Sequence, residues 1–468
     1  MSAIELSARP ATFAVERSLC GWGRTAPSTA RVLTPASPAE ACEALDGLAE
    51  RGGALLARGA GRSYGDAAQN GGGTVLDMTR CARIGEPDER SGLVRAQAGA
   101  TLAEVIAQIG VHGRTLPVVP GTRHVTVAGA IASDIHGKNH HRDGAFARHV
   151  ESISLWTPAA GVLALSQQDD PELFYATLGG MGLTGVILDA ELRTEPLGSW
   201  YVSGDTDRTA SLAATLQLLA EPERHRYSVA WLDLLARGSR FGRAVLSRAN
   251  PLDLHHDGVP LRERARALAA APRVRVPAAS SVALVDPRAI RALNAARWAA
   301  SPRRARERPE RLDRFFFPLD ALGDWNRLYG SRGLIQYQLV IPDGREADLD
   351  RCFELIRARR VPVCLAVLKR FGPHFGGPLS FPIGGWTLAA DVPAAAPGVG
   401  AALDALDQIV AEAGGRVYLS KDSRLRPEVL ASMYGELDRF RATAARVDPD
   451  GLMSSDLSRR LELRAEAP

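Results

Sequence analysis

Of the 57 basic residues in this 468-residue sequence, only three are lysine: Lys138, Lys369 and Lys421. Arginine has replaced lysine almost everywhere. It does not reproduce lysine's compact ammonium or its readily shifted pKa. Positions where lysine persists are therefore candidates for sites that need an amine, to hold an anion or to move a proton. They stand in Gly137-Lys138-Asn139-His140-His141, in Lys369-Arg370-Phe371-Gly372 and in Tyr418-Leu419-Ser420-Lys421-Asp422, all rich in glycine or aromatic residues. Chance retention on a solvated face is the plain alternative for each.

A different chemistry is suggested by Ala57-Arg58-Gly59-Ala60-Gly61-Arg62-Ser63-Tyr64-Gly65-Asp66-Ala67. Three glycines let the backbone turn tightly and bring its N–H groups against an anion. Arg58 and Arg62 add charge, and Ser63 and Tyr64 add hydroxyls. A pyrophosphate is the natural ligand, although the spacing is not the Gly-x-Gly-x-x-Gly that opens a dinucleotide-binding helix. The alternative is a glycine-rich hairpin loop. Further on, Gly121 and the run Thr126-Val127-Ala128-Gly129-Ala130-Ile131-Ala132-Ser133 carry almost no large side chains, so a flat group can lie on this backbone. Asp134-Ile135-His136-Gly137-Lys138-Asn139-His140-His141 follows at once. Its three histidines read as a solvated loop before they read as a metal site, because no carboxylate or cysteine stands at helical spacing.

These stretches need a frame. Ser37-Pro38-Ala39-Glu40 and Thr101-Leu102-Ala103-Glu104 are capping boxes, the first with proline at the first helical position. They predict helices over residues 38–51 and 102–110. Strands are expected at 54–56, 74–78, 93–98, 149–157, 161–166 and up to 194, with a short helix after Asp170-Pro171-Glu172. From Trp200 the aromatic content rises and strand-like runs such as Tyr227-Ser228-Val229-Ala230-Trp231-Leu232 appear. Residues 262–311, rich in arginine, alanine and proline, read as a loop with helical pieces. Residues 416–422 read as a strand end, followed by one helix over 427–445. No internal repeat is present.

The net charge of +4 is too small to argue for nucleic acid. No apolar run approaches the roughly 20 residues that cross a bilayer. Cys20, Cys42, Cys81, Cys352 and Cys364 are scattered, forming neither a metal-ligand pair nor a disulfide framework, which fits a reducing compartment. Met1-Ser2-Ala3-Ile4-Glu5-Leu6 has no basic region before an apolar core, so no secretory signal is expected. The expected place is the cytoplasm or the periphery of the plasma membrane, with the periplasm left open.

The two glycine-rich stretches, their separation, and Asp448-Pro449-Asp450-Gly451-Leu452-Met453-Ser454 resemble the FAD-binding oxidoreductases of the vanillyl-alcohol oxidase type. Arg62-Ser63-Tyr64-Gly65-Asp66, Asp134 to His141, Gln336-Tyr337-Gln338, Lys369-Arg370-Phe371-Gly372 and Tyr418-Leu419-Ser420-Lys421-Asp422-Ser423-Arg424 are similar to the flavoprotein subunits of decaprenylphosphoryl-β-D-ribose 2′-epimerases, a branch of that family. The likeness covers nearly the whole chain. It implies an α+β fold: a two-lobed FAD-binding domain at 1–199, an inserted, mainly antiparallel α+β substrate domain at 200–411, and a segment at 412–468 that returns to the FAD-binding domain. By position it implies FAD contacts at residues 57–67, Gly121, Thr126, Val127, Ala128, Gly129, Ser133, Asp134, Ile135, His136, Ile187 and Tyr418. The substrate pocket falls on Lys138, Tyr329, Gln336, Gln338, Lys369, Phe371, Ala389 and Lys421, a set that contains all three lysines.

The implied activity is oxidation of the ribose 2′-hydroxyl of a polyprenyl-phosphoryl ribose to the 2′-keto intermediate, the first half of epimerisation to the arabinose donor for cell-wall arabinan. Lys421 would span flavin and sugar, and His136 would take the hydroxyl proton or position the flavin. An NADH-dependent keto-reductase is the implied partner, and peripheral membrane contact fits the lipid substrate. Covalent relatives attach flavin through histidine or cysteine. Here Tyr64 holds the matching position and no cysteine lies between Gly121 and Gly137, so non-covalent FAD is expected. One departure stands out: Ala389 occupies the place where familiar members carry a cysteine that faces the flavin and anchors covalent inhibitors. Two other readings remain: a sugar, alditol or sugar-lactone oxidase of the same fold, and a flavin-binding protein without turnover.

Overall fold

The computed structural model describes residues 14–220, 224–252, 262, 265, 272, 274–277 and 284–464. The N-terminal hexapeptide and most of 253–283 lie outside them. The chain is an α+β protein built on three larger sheets.

The first sheet runs in the order Val15–Leu19, Ser28–Leu33, Thr74–Asp77, Leu55–Arg58. Its first pair is antiparallel and the other two are parallel. Parallel pairing requires a crossover, which the helix Pro38–Arg51 supplies. Ser37 Oγ caps that helix by accepting from Glu40 N at 3.2 Å, and Gly52 ends it with φ 70°. Because Leu55–Arg58 and Thr74–Asp77 also run parallel, the glycine-rich stretch between them is not a hairpin. It has to travel back along the length of these strands, and on the way it meets the segment at Ser420.

The second sheet, Leu93–Gln97, Val186–Arg193, Val150–Thr157, Gly161–Ser166, is antiparallel throughout. The capping box of the helix Leu102–Gly110 forms as the sequence predicts: Thr101 N and Oγ1 each donate to Glu104 Oε2 at 2.7 Å. The small-residue run becomes the short helix Val127–Ala132, capped by Thr126.

The third sheet has eight antiparallel strands, in the order Arg304–Arg311, Tyr201–Thr209, Arg243–Pro251, Tyr227–Asp233, Leu365–Phe371, Gly385–Pro393, Leu334–Pro342, Arg416–Val417. The helices Glu346–Ala358 and Val399–Glu412 cover one face. There Leu339, Ile341, Leu388, Ala390 and Val392 join the largest core cluster. Past residue 417 the chain turns away, and Met453 pairs with Leu55 at the edge of the first sheet. Leu55 N donates to Leu452 O and Ser454 N to Leu55 O, both at 2.8 Å.

Three expectations change. The strand Arg304–Arg311 lies inside the stretch read as a loop. It is a polar, proline-containing edge strand, which carries no alternating apolar signal. The expected helix over 427–445 is two, Pro427–Met433 and Leu437–Val447. They break where Tyr434 turns inward to donate its hydroxyl to Val417 O at 2.8 Å. The strand expected over 416–422 stops at Val417, and the chain turns with Lys421 N donating to Tyr418 O at 2.9 Å.

Candidate active site

Alternation along a strand places every second side chain on one face. In the three central strands the registers are Leu365↔Asp391↔Gln336, Val367↔Ala389↔Gln338 and Lys369↔Thr387↔Val340. The intervening residues are in the core, so these three rows form the face opposite the helices. A cavity of about 380 Å³ lies on it, walled here by Leu365, Val367, Lys369, Ala389, Gln336 and Gln338. The returning segment adds Tyr418, Ser420 and Lys421.

The opposite wall comes from both smaller lobes: residues 57–64, Ala67, Gly121, Thr126, Ala128, Gly129, Ser133, Ile135, His136 and Ile187. A Cβ at Gly59 would lie 2.1 Å from Thr126 Oγ1, so only glycine lets the loop rest on that threonine. Tyr64 N donates to Ser420 O at 2.9 Å, which ties this loop to the lysine turn. Lys421 Nζ then sits 4.0 Å from the centre of the Tyr64 ring. The Gln336 amide donates to Tyr64 OH at 3.1 Å and also to Asp391 Oδ1. The Gln338 amide reaches Thr387 Oγ1 at 3.1 Å and His136 Nε2 at 2.9 Å. An amide nitrogen can only donate, so the Nε2 lone pair is taken and the ring's proton is on Nδ1. Burial, followed by Lys369, His140 and Lys421, holds the His136 pKa far below its ordinary value, and the ring stays neutral. Gln338 at 2.9 Å and the Phe371 ring at 4.8 Å fix this neutral ring in the wall.

Burial lowers all three lysines. Lys421 falls to about 8 with Asp391 opposing the fall, and Lys369 to about 7 with help from Lys138 and Lys421. Lys138 falls to about 8, opposed by Glu310. Lys369 Nζ donates to Gly137 O at 3.3 Å.

Seven of the expected residues lie off the cavity wall and support it. Lys138 donates to Phe315 O and stands 4.4 Å over the Phe315 ring. Tyr329 packs with Tyr64, Leu334 and Cys364. The Phe371 ring backs His136 and His140, 4.8 and 4.3 Å away. Gly65 touches the 422 backbone, Asp66 pairs with Arg460 at 2.8 Å, and Val127 is core. Asp134 accepts from Ala147 N at 2.9 Å, and burial raises its pKa to about 7.

The sequence reading missed Leu365, Val367, Thr387 and Asp391, which strand alternation from Ala389 and Lys369 would have found. It also missed Leu319, Asp320, Asp324 and Trp325, which no periodic pattern marks. Arg62 stacks 4.0 Å over Trp22.

The cavity fits FAD. A glycine loop with open backbone and two arginines faces a small-residue helix. Arg62 Nε and His136 Nδ1 are buried there with no partner in the protein. Among the described residues no cluster of His, Cys, Asp or Glu is built for a metal ion. A cofactor cradle between two α/β lobes, closed by an antiparallel sheet bearing amines and amides, defines an FAD-dependent oxidoreductase of the vanillyl-alcohol oxidase type.

Comparison with known proteins agrees. Residues 29–166 match the FAD binding domain family. The chain is 40% identical over 458 residues to decaprenylphosphoryl-beta-D-ribose oxidase of Mycolicibacterium smegmatis, covering 96% of this chain and 98% of that one. It is 26% identical over 441 residues to L-gulono-1,4-lactone dehydrogenase of Mycobacterium tuberculosis, covering 92% and 95%. The chain belongs to the decaprenylphosphoryl-β-D-ribose oxidase family.

Proposed function

We propose that this protein oxidises the 2′-hydroxyl of decaprenylphosphoryl-β-D-ribose to the ketone, with non-covalently held FAD. The observation that carries this reading is the lysine- and glutamine-lined sheet face, in a chain 40% identical end to end to an oxidase of that name. The loop at 57–64, with Arg62, would hold the pyrophosphate, Arg58 bracing the loop by donating to the carbonyls of Cys20 and Ala68, and the wall from Gly121 to His136 would hold the rest of the cofactor. When bound, FAD supplies the acceptor for the hydride that leaves C2′. Gln336 and Gln338 orient the sugar. Ala389, Val367 and Leu365 give it an apolar floor that keeps water out.

Two amines divide the remaining work. Lys421 keeps its proton at neutral pH and steadies the negative charge that develops as the hydroxyl reacts. The hydroxyl proton needs a base, and His136 has its lone pair committed to Gln338. Lys369, brought to about 7, is partly neutral at physiological pH and accepts it. Completing epimerisation requires an NADH-dependent reductase that acts on the ketone. The lipid tail favours peripheral membrane contact. Leu319 on the cavity wall is 40% exposed, and Val274, beside the wall residue Arg275, is 61% exposed. Among the described residues no helix is long and apolar enough to cross a membrane.

The test is anaerobic bleaching of the flavin absorbance by a panel of polyprenyl-phosphoryl sugars, L-gulono-1,4-lactone and alditols. Bleaching by the ribose lipid is expected. Bleaching by the lactone or an alditol alone would replace this reading, and no bleaching by any of them would make the protein a flavin binder without turnover.

A further inference from the structure

On the strand Gly385–Pro393, Asp391 follows Ala389 on the cavity side of the sheet, lies behind the wall and is 1% exposed. A carboxylate in such a place is costly unless it is partnered. Its Oδ1 accepts from Gln336, whose amide also donates to Tyr64 OH. Its Oδ2 is buried with no hydrogen-bond partner. The face of Tyr64 carries the Lys421 ammonium at 4.0 Å. The chain Asp391, Gln336, Tyr64, Lys421 thus ends in two opposite charges that act on one another. The mechanism above uses Lys421 and Gln336 and gives Asp391 no task.

We propose that Asp391 is a positioning residue, the fixed anion against which the Lys421 ammonium is set, with Gln336 keeping the carboxylate and the Tyr64 ring in register. The proposal rests on the functional reading above. Its physical basis is the shortage of other anions. Burial already brings Lys421 to about 8 against the opposition of Asp391, and the other neighbours on which Lys421 acts are Lys369 and His136. Without Asp391 the amine would lose its proton at still lower pH. On the carboxylate's side stand Tyr64, Tyr329 and Cys364. Burial, followed by Asp391, raises the pKa of all three, so they remain neutral near pH 7. Lys421 is the cation that balances the site.

The experiment measures the pH dependence of kcat/KM for the FAD-loaded protein. In Asp391→Asn the alkaline limb set by Lys421 should move to lower pH, because the opposite charge that raises the Lys421 pKa is lost. Asp391→Glu should lower kcat and leave the limb in place. An Asp391→Asn limb that overlays the parent's overturns the proposal. A second measurement needs no turnover. In Lys421→Met the carboxylate is left without its cation, so its folded-state pKa rises above the present value of about 6. A raised carboxyl pKa contributes stability below the unfolded value, and that stability is lost as pH rises through the folded value. The Tm of Lys421→Met should therefore fall more steeply between pH 5.5 and 8 than the parent's. Parallel curves overturn the proposal. If the parent fails to bleach with the ribose lipid, the functional reading falls while the Tm comparison still decides the pairing.

Discussion

An ammonium packed 4.0 Å from the face of a buried tyrosine leaves little tolerance in its shape. Lys421→Arg keeps the charge but substitutes a wider, planar group with different hydration. A misplacement of about 1 Å at the reacting carbon can cost on the order of 100-fold. Stopped-flow reduction of the flavin by the ribose lipid should slow by roughly that factor, with the FAD content unchanged. A rate within a few-fold of the parent would make Lys421 a structural residue. That the three lysines stand apart could be read from the sequence, because arginine bias left them conspicuous. That they divide, with Lys369 and Lys421 on the cavity wall and Lys138 behind it, could not. The division depends on which way Gly137 and Phe315 turn their carbonyls, a tertiary fact. Asp391 was hidden for a similar reason. Alternation from Ala389 puts it on the cavity side, but whether it faces solvent or is buried beside Gln336 depends on the neighbouring strands.

At the level of elements, two turns are pressed backbone to backbone. A Cβ on Gly65 would lie 1.6 Å from the carbonyl oxygen of Asp422, and one on Gly21 would lie 1.9 Å from that of Gly65. Neither neighbour is a flexible side-chain end. Gly65→Ala should push the lysine turn off the cofactor loop, at a cost of about 1–3 kcal/mol. For a chain of this size a Tm drop of about 1–3 °C is expected, together with less FAD after purification. Parent-like values of both would mean the two turns can part freely. The capped helices Pro38–Arg51 and Leu102–Gly110 were legible because their signals are local. The path of the glycine loop was not. Whether it forms a hairpin or a long return depends on Leu55–Arg58 pairing parallel to Thr74–Asp77, and glycine spacing says nothing about strand direction.

Across the whole molecule, the cofactor cradle has no single owner: the first sheet's loop, the second lobe's small helix and the third sheet all contribute walls. None of the five cysteines lies on them. Acid precipitation should therefore release the yellow colour into the supernatant, and flavin retained in the pellet would mean a covalent bond. The change in composition near Trp200 falls where the strand Tyr201–Thr209 opens the eight-stranded sheet. The order of the eight strands was not foreseeable, since it is set by contacts far apart in the chain. The return of the chain to the first sheet has a further consequence. Arg460 holds Asp66 through paired bonds at 2.8 Å across 394 positions, and it also reaches Asp422 at 2.9 Å. Asp456 takes Gly71 N at 2.7 Å, and Arg459 takes Asn70 Oδ1 at 2.8 Å. A ribosome makes about 5–20 residues per second, so the loop that receives the nucleotide must wait roughly 20–80 s for its clamp. A nascent chain has no finished place for the vitamin-derived cofactor until residues 456–460 have been made, so bound flavin reports that this far clamp has been made and docked.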